Sequence, residues 1–210
     1  GELVLYWHQR GVLSEHRPTT VWITGDQCTL LNSALQGCDK SDMAVLMIES
    51  IAELSSVLTI ERNDVSDEGV GHDEIQEFLE EIPNYGPASA VKWLQDYLPT
   101  IQTVYAFQHL DGMNKASGRR IFDVLQTALW SKLGGIFQAD NEGFSNEQGY
   151  HILWQFDERV NGIWSMAILD EVGRWHQFQM ELSNLEQRKV FKQGQVPSGC
   201  MLIATASIDS

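Results

Sequence analysis

The chain has 210 residues, of which 43% are hydrophobic and 10% aromatic, so it is long and apolar enough to fold around a buried core. It carries 29 Asp and Glu against 14 Lys and Arg, a formal net charge of −15. This balance argues against direct binding to phosphate backbones or anionic membranes, and no apolar run approaches the roughly 20 residues that a membrane-spanning helix needs.

The first sixty residues predict strands around one helix. β-Branched and aromatic residues favour strands at 3–7 and 19–23, and residues 26–37 predict a helix that Asp26 caps. Residues 42–54 place apolar side chains at helical spacing, although the run at 45–48 would also suit a buried strand; we favour the helix. A strand at 56–61 and a solvated loop at 63–71 are expected to follow.

Nine acidic residues and one arginine lie between Glu61 and Glu81, and most of them fall on this loop and on the next predicted helix. From residue 73 an apolar stripe recurs at helical spacing until Pro83, which ends the pattern. The opposite face carries four glutamates: Glu74, Glu77, Glu80 and Glu81. A second helix is expected from Pro87 to the residue before Pro99.

Residues from 100 onward alternate strands and helices. Strands are predicted at 103–107, 136–139, 149–154, 163–169, 174–182 and 201–204. A helix at 117–133 is expected to bury Ile121, Val124, Leu125, Ala128 and Leu129, and the Gly134–Gly135 pair to end it. A capping box at residues 183–186 predicts the last helix, which Gly194 ends.

This order of elements predicts an α+β fold, a mainly antiparallel sheet with helices on one face. A ferredoxin-like arrangement is one form that the C-terminal half would allow. We expect one domain over residues 1–210, with 1–70 and 71–210 as the alternative division, because the sequence has no Pro/Gly/Ser-rich linker.

The sequence carries no complete catalytic, cofactor or metal motif. The loop at residues 140–147 has three carboxylates and two amides, but its glycine falls at the wrong position for an EF-hand. The histidines form no HExxH pattern, and neither a Walker A loop nor GxGxxG is present. We therefore predict no cofactor and no metal site, and we favour a function that is not enzymatic over an enzymatic one.

Two hypotheses of function remain. The first is a protein-interaction or regulatory module whose Glu74, Glu77, Glu80 and Glu81 contact a basic protein partner. The second is a small-molecule-binding protein or enzyme with a pocket built from dispersed residues, namely Asp111, Arg119, Arg120 and His151. Three cysteines without a disulfide pattern predict a cytoplasmic protein.

Overall fold

The computed structural model describes residues 55–65 and 69–207, together with three strands at residues 2–7, 19–21 and 43–50. The predicted strands at 3–7 and 19–23 are confirmed where they fall within these ranges. The predicted helix at 26–37 lies outside the described residues.

The chain forms two compact units, each built from two separate segments. The first unit comprises residues 1–73 and 101–135, and the second comprises residues 74–100 and 136–210. Whether the two units unfold as one cooperative domain stays a prediction.

The first unit has five strands in the order β2-β3-β4-β5-β1. They are β1 Glu2–Trp7, β2 Thr19–Val21, β3 Met43–Ser50, β4 Ser55–Asp64 and β5 Thr103–His109. The central pairs β3/β4 and β4/β5 are antiparallel, and the outer pairs β2/β3 and β5/β1 are parallel. Leu58, Ile60 and Phe107 are fully buried on the two central strands.

Two predictions in this unit were wrong. Residues 43–50 form a strand instead of the favoured helix, because β3 pairs with β2 on one side and β4 on the other. In so short an apolar run, helical spacing does not distinguish the two structures. The loop predicted at 63–71 is shorter, since β4 extends to Asp64, paired with Thr103 of β5, and the following helix already begins at Val70.

The long helix α3, Ala116–Leu133, follows a short 3-10 helix at Asp111–Asn114 and ends at Gly134, whose φ is 71°. Its buried residues are Gly118, Phe122, Leu125 and Leu129, and Val124 is exposed, so the buried face is rotated from the predicted one. The rotation follows from close packing at Gly118, which faces the backbone of the preceding 3-10 helix. A side chain at this position would not fit, because a Cβ atom would lie 2.0 Å from the carbonyl oxygen of Gly112.

The second unit contains most of α1, Val70–Glu81, which crosses the division between units. Its other elements are α2 Ala88–Tyr97, β6 Ile136–Ala139, β7 Gly143–Phe144, β8 Ile163–Leu169, β9 Arg174–Glu181, α4 Leu185–Lys192 and β10 Met201–Ser207, with short 3-10 helices at Ile82–Asn84 and Leu98–Thr100. Strands β8 and β9 form the predicted hairpin, and β10 completes a three-stranded antiparallel sheet.

The protein therefore has an α+β fold in which most described strand pairs are antiparallel. The ferredoxin-like arrangement is not observed, because β8, β9 and β10 form a sheet of their own. The strand predicted at 149–154 is also absent, and there only His151 makes isolated bridges, to Ser145 and Met166. Helix α4 is capped by Asn184 instead of Ser183, whose hydroxyl donates to Glu181.

Candidate functional site

Helix α1 carries five carboxylates on a continuous arc. At 100° per residue, Asp73, Glu74, Glu77, Glu80 and Glu81 span about 120° of the helix circumference. We call these five residues the acidic face.

Packing fixes the orientation of the acidic face. On the opposite side of α1, Ile75 and Phe78 are buried, as is Ile82, the first residue of the 3-10 helix that follows. The ring of Phe78 meets that of Phe144 edge to face, with 5.3 Å between centroids. The apolar stripe predicted from the sequence is thus the contact that turns the carboxylates outward, although Leu79 is only partly buried.

The five carboxylates differ in exposure. Asp73, Glu77 and Glu80 are exposed, whereas Glu74 and Glu81 are partly buried at the edge of the arc. Glu81 is also engaged within its own unit: Tyr85 donates its hydroxyl to Oε1 at 2.9 Å, and Nε2 of Gln155 donates to the same oxygen at 3.4 Å. The exposed part of the acidic face is therefore centred on Glu77.

The acidic face is electrostatically unfavourable for the helix that carries it. Glu77 lies three or four residues from each of the other four carboxylates, a spacing at which like charges repel. The last turn has no basic residue, so Glu80 and Glu81 also oppose the negative end of the helix dipole. Within the described ranges, no cation forms an ion pair with Glu77 or Glu80.

Asp111, Arg119 and Arg120, predicted as part of a pocket, lie in the first unit and are exposed. Asp111 opens the 3-10 helix, and the two arginines lie near the start of α3. Adjacent helical residues project about 100° apart, so the arginines do not form one fork. Among the ion pairs of the described residues, none joins Asp111 to either arginine.

His151, the fourth residue of that predicted pocket, lies in the second unit with its side chain buried. Its ring is 4.6 Å from that of Phe156 and 5.7 Å from that of Trp164, measured between centroids. Burial lowers the pKa of His151 to about 4, and hydrogen bonding to the backbone of Leu153 and Glu142 only partly offsets this effect. Neither unit thus contains all four predicted residues.

In the polar loop at residues 140–147, several side chains already form hydrogen bonds within the protein. Oδ1 of Asn146 accepts hydrogen bonds from the backbone N–H groups of Gln148 and Tyr150, and Glu147 accepts one from the Tyr97 hydroxyl at 2.8 Å. In the part of the chain that the structure describes, no group of three or more His, Cys, Asp or Glu residues could hold a metal ion.

Sequence reasoning missed a basic cleft beside α4. This cleft, which we call the α4 cleft, has a volume of about 620 Å³ and is lined by Glu158, Leu185, Arg188, Lys189, Lys192 and Gln193. Three cations thus face one carboxylate, the reverse of the whole-chain balance. The signal was visible in the sequence, because three of the 14 basic residues fall within residues 188–192.

Arg188 forms the buried wall of the α4 cleft. Its guanidinium donates to three backbone carbonyls: those of Leu182, Glu158 at 2.7 Å and Val160 at 2.6 Å. These acceptors satisfy the buried donors but are uncharged, and among the ion pairs of the described residues none involves Arg188.

A second cation lies next to Arg188. The Cζ of Arg188 and the Nζ of Lys192 are 5.4 Å and 5.2 Å from the ring centroid of the buried Trp154. Burial, followed by repulsion from Arg188, lowers the pKa of Lys192, and the charge of Glu158 acts in the opposite direction. The indole ring stabilises both cations, yet they still repel each other.

A further polar cluster joins the β8–β9 turn to β10. Nε2 of His176 lies 2.8 Å from Oδ2 of Asp170, and Nδ1 lies 3.3 Å from Oγ1 of Thr205. Asp170 also forms an ion pair with Arg174 at 3.0 Å. Partial desolvation raises the pKa of Asp170, but hydrogen bonds from Arg174 and His176 outweigh it and hold this pKa well below its usual range. These contacts link the two strands of the β8–β9 hairpin at its turn and connect the hairpin to β10.

Comparison of the chain with protein-family models, with curated proteins and with solved structures finds no match. Among the helices of the described residues, none is both long and apolar enough to cross a membrane. The choice between the two hypotheses of function therefore depends on the geometry and electrostatics given above.

Proposed function

We propose that this protein is a non-enzymatic interaction or regulatory module that binds a basic protein partner through the acidic face of α1. One observation carries the proposal: five carboxylates share one arc of a helix whose opposite side is fixed by packing. Exposed charge of one sign accelerates association with an oppositely charged surface.

The electrostatics of α1 support the proposal. Each like-charged pair at this spacing destabilises a helix by about 0.2–0.5 kcal/mol, and carboxylates in the last turn add to this effect. Within the described residues no cation forms an ion pair with Glu77 or Glu80, and charge repulsion that lowers local stability in this way is expected at a functional surface. A cationic partner would relieve this repulsion when it binds.

The alternative, a small-molecule-binding protein or enzyme using Asp111, Arg119, Arg120 and His151, ranks second. Arg119 and Arg120 project about 100° apart on α3, and no ion pair of the described residues joins Asp111 to either of them. His151 is buried against the rings of Phe156 and Trp164. The free, partly buried thiol of Cys200 is in keeping with the predicted cytoplasmic location.

The test is affinity capture from the native host with three forms of the full chain, followed by quantitative mass spectrometry. The face variant, Asp73→Asn/Glu77→Gln/Glu80→Gln, neutralises the exposed part of the acidic face. The control variant, Asp123→Asn/Glu171→Gln/Glu186→Gln, removes the same number of exposed carboxylates elsewhere.

The wild type and the control variant should recover the same basic partner, and the face variant should lose it. Equal recovery by the face variant would show that the partner binds another surface. If both variants lost the partner equally, net charge alone would account for the interaction.

A further inference from the structure

We infer that the α4 cleft is a binding site for a small phosphate ester. The cleft is formed by α4 and Glu158 within the second unit, and none of its lining residues belongs to the acidic face. The inference therefore does not depend on the proposed function.

The net positive charge of the cleft lining favours an anionic ligand. Arg188, Lys189 and Lys192 face the single carboxylate of Glu158. In the described part of the chain neither lysine forms an ion pair, although the protein as a whole has an excess of carboxylates. Lys189 and Lys192 in the last turn of α4 interact favourably with the helix dipole, and the four-residue spacing places Lys192 beside Arg188, so two like charges share one side of the cleft.

The dianionic charge of a phosphate monoester matches this lining. Near neutral pH such a group carries a charge of about −1.5 to −2 and three strong acceptor oxygens, whereas a carboxylate carries only one charge. A dianion would offset the excess positive charge of the three cations over Glu158.

The donors also suit a phosphate. Arginine has five N–H groups, and the three described bonds of Arg188 leave one N–H on each terminal nitrogen. The ammonium groups of Lys189 and Lys192 add flexible donors at the exposed side of the cleft. Because the carbonyl bonds hold Arg188 in place, its charge is preorganised before a ligand arrives.

The size of the cleft favours an ester over the free ion. Pockets that bind small organic molecules usually enclose about 300–1,000 Å³. The α4 cleft offers a comparable volume, about 620 Å³, but it is open to solvent, because all of its lining residues except Arg188 are exposed. Leu185, which is 70% exposed, offers an apolar contact for the organic part of the ligand, and Gln193 offers an amide.

The test is isothermal titration calorimetry of the full chain with three probes: phenyl phosphate, inorganic phosphate and benzoate. Phenyl phosphate should bind more tightly than both others, because benzoate lacks the second charge and inorganic phosphate lacks the ring. Lys189→Gln/Lys192→Gln should weaken phenyl phosphate roughly tenfold or more, since charge-assisted hydrogen bonds are lost. Lys189→Arg/Lys192→Arg should retain binding.

The matched control is Lys92→Gln/Lys132→Gln, which removes two exposed lysines from other helices. It should leave the affinity for phenyl phosphate within about twofold of the wild type, because neither lysine lines the cleft and exposed charges are screened by salt. Arg188 stays unchanged in every variant, so its structural bonds are preserved, and circular dichroism verifies folding. Absence of binding, an equal loss in the control, or equal affinity for benzoate or inorganic phosphate would each overturn the inference.

Discussion

At the scale of single residues, burial decides what His151 contributes. The imidazole lies among the rings of Phe156 and Trp164, and its Nε2 has no hydrogen-bond partner among the described residues. A charged imidazolium would lose its hydration there without gaining a counterion. His151 is therefore neutral at physiological pH and acts as a packing residue.

His151 should make the stability of the protein depend on pH. Its pKa is about 4 in the folded state against an ordinary value of 6.5, so the unfolded chain binds the proton more tightly. The neutral His151 contributes to the free energy of unfolding in full above about pH 6.5. This contribution is lost as the pH falls towards about 4, and the loss is roughly 3 kcal/mol in total. His151→Gln should remove this component.

Urea denaturation of the wild type and of His151→Gln between neutral and mildly acidic pH measures the effect. The free energy of unfolding should fall more steeply on acidification in the wild type, and other titrating groups should cancel in the difference. Parallel pH profiles for the two proteins would show that burial of His151 does not depress its pKa.

At the scale of elements, α1 combines a stabilising side with a destabilising one. Ile75 and Phe78 are buried, while Glu77 and Glu80 repel neighbouring carboxylates on the opposite side. Packing of an amphipathic face usually contributes more to helix stability than surface charge does. The helix can therefore hold a charge pattern that would be unfavourable in an isolated peptide.

Reversing one charge on α1 should stabilise the protein. Glu80→Lys removes a repulsion with Glu77, creates an attraction at three-residue spacing and places a cation at the negative end of the helix, a gain of roughly 0.5–1 kcal/mol. Urea denaturation at low ionic strength measures this gain, which high salt should reduce.

Asp123→Lys provides the matched control for Glu80→Lys. It makes the same change of charge in the middle of α3, where Asp123 lies three and four residues from Arg120 and Arg119. There the new lysine would repel these arginines, so we expect no gain. Destabilisation by Glu80→Lys would mean that this carboxylate has a structural role.

Elements with one clear apolar stripe could be predicted from the sequence, and those defined by their neighbours could not. The burial of Phe78 in α1 follows from helical spacing, and the β8–β9 hairpin follows from two strands around a short turn. In contrast, β3 depends on pairing with β2 and β4, and the buried face of α3 depends on the close approach of Gly118 to Gly112.

At the scale of the whole molecule, the net charge of −15 does not show how charge is distributed between the acidic face and the α4 cleft. The acidic face holds five carboxylates on one helix, and the α4 cleft holds three cations against one carboxylate. The first could be predicted because charge and periodicity coincide in one segment. For the second, the sequence shows only the cluster of basic residues at 188–192, because the cleft also requires Glu158 and Trp154 to lie beside α4, which only the folded chain brings about.

The central claim, that the acidic face of α1 recruits a basic partner, is tested most directly by association kinetics. The association rate constant of the captured partner is measured against ionic strength for the wild type and the face variant. The wild type should associate roughly tenfold or more faster at low salt and lose this advantage as salt rises, because electrostatic steering is screened. Equal rate constants and equal salt dependence for the two proteins would contradict the claim.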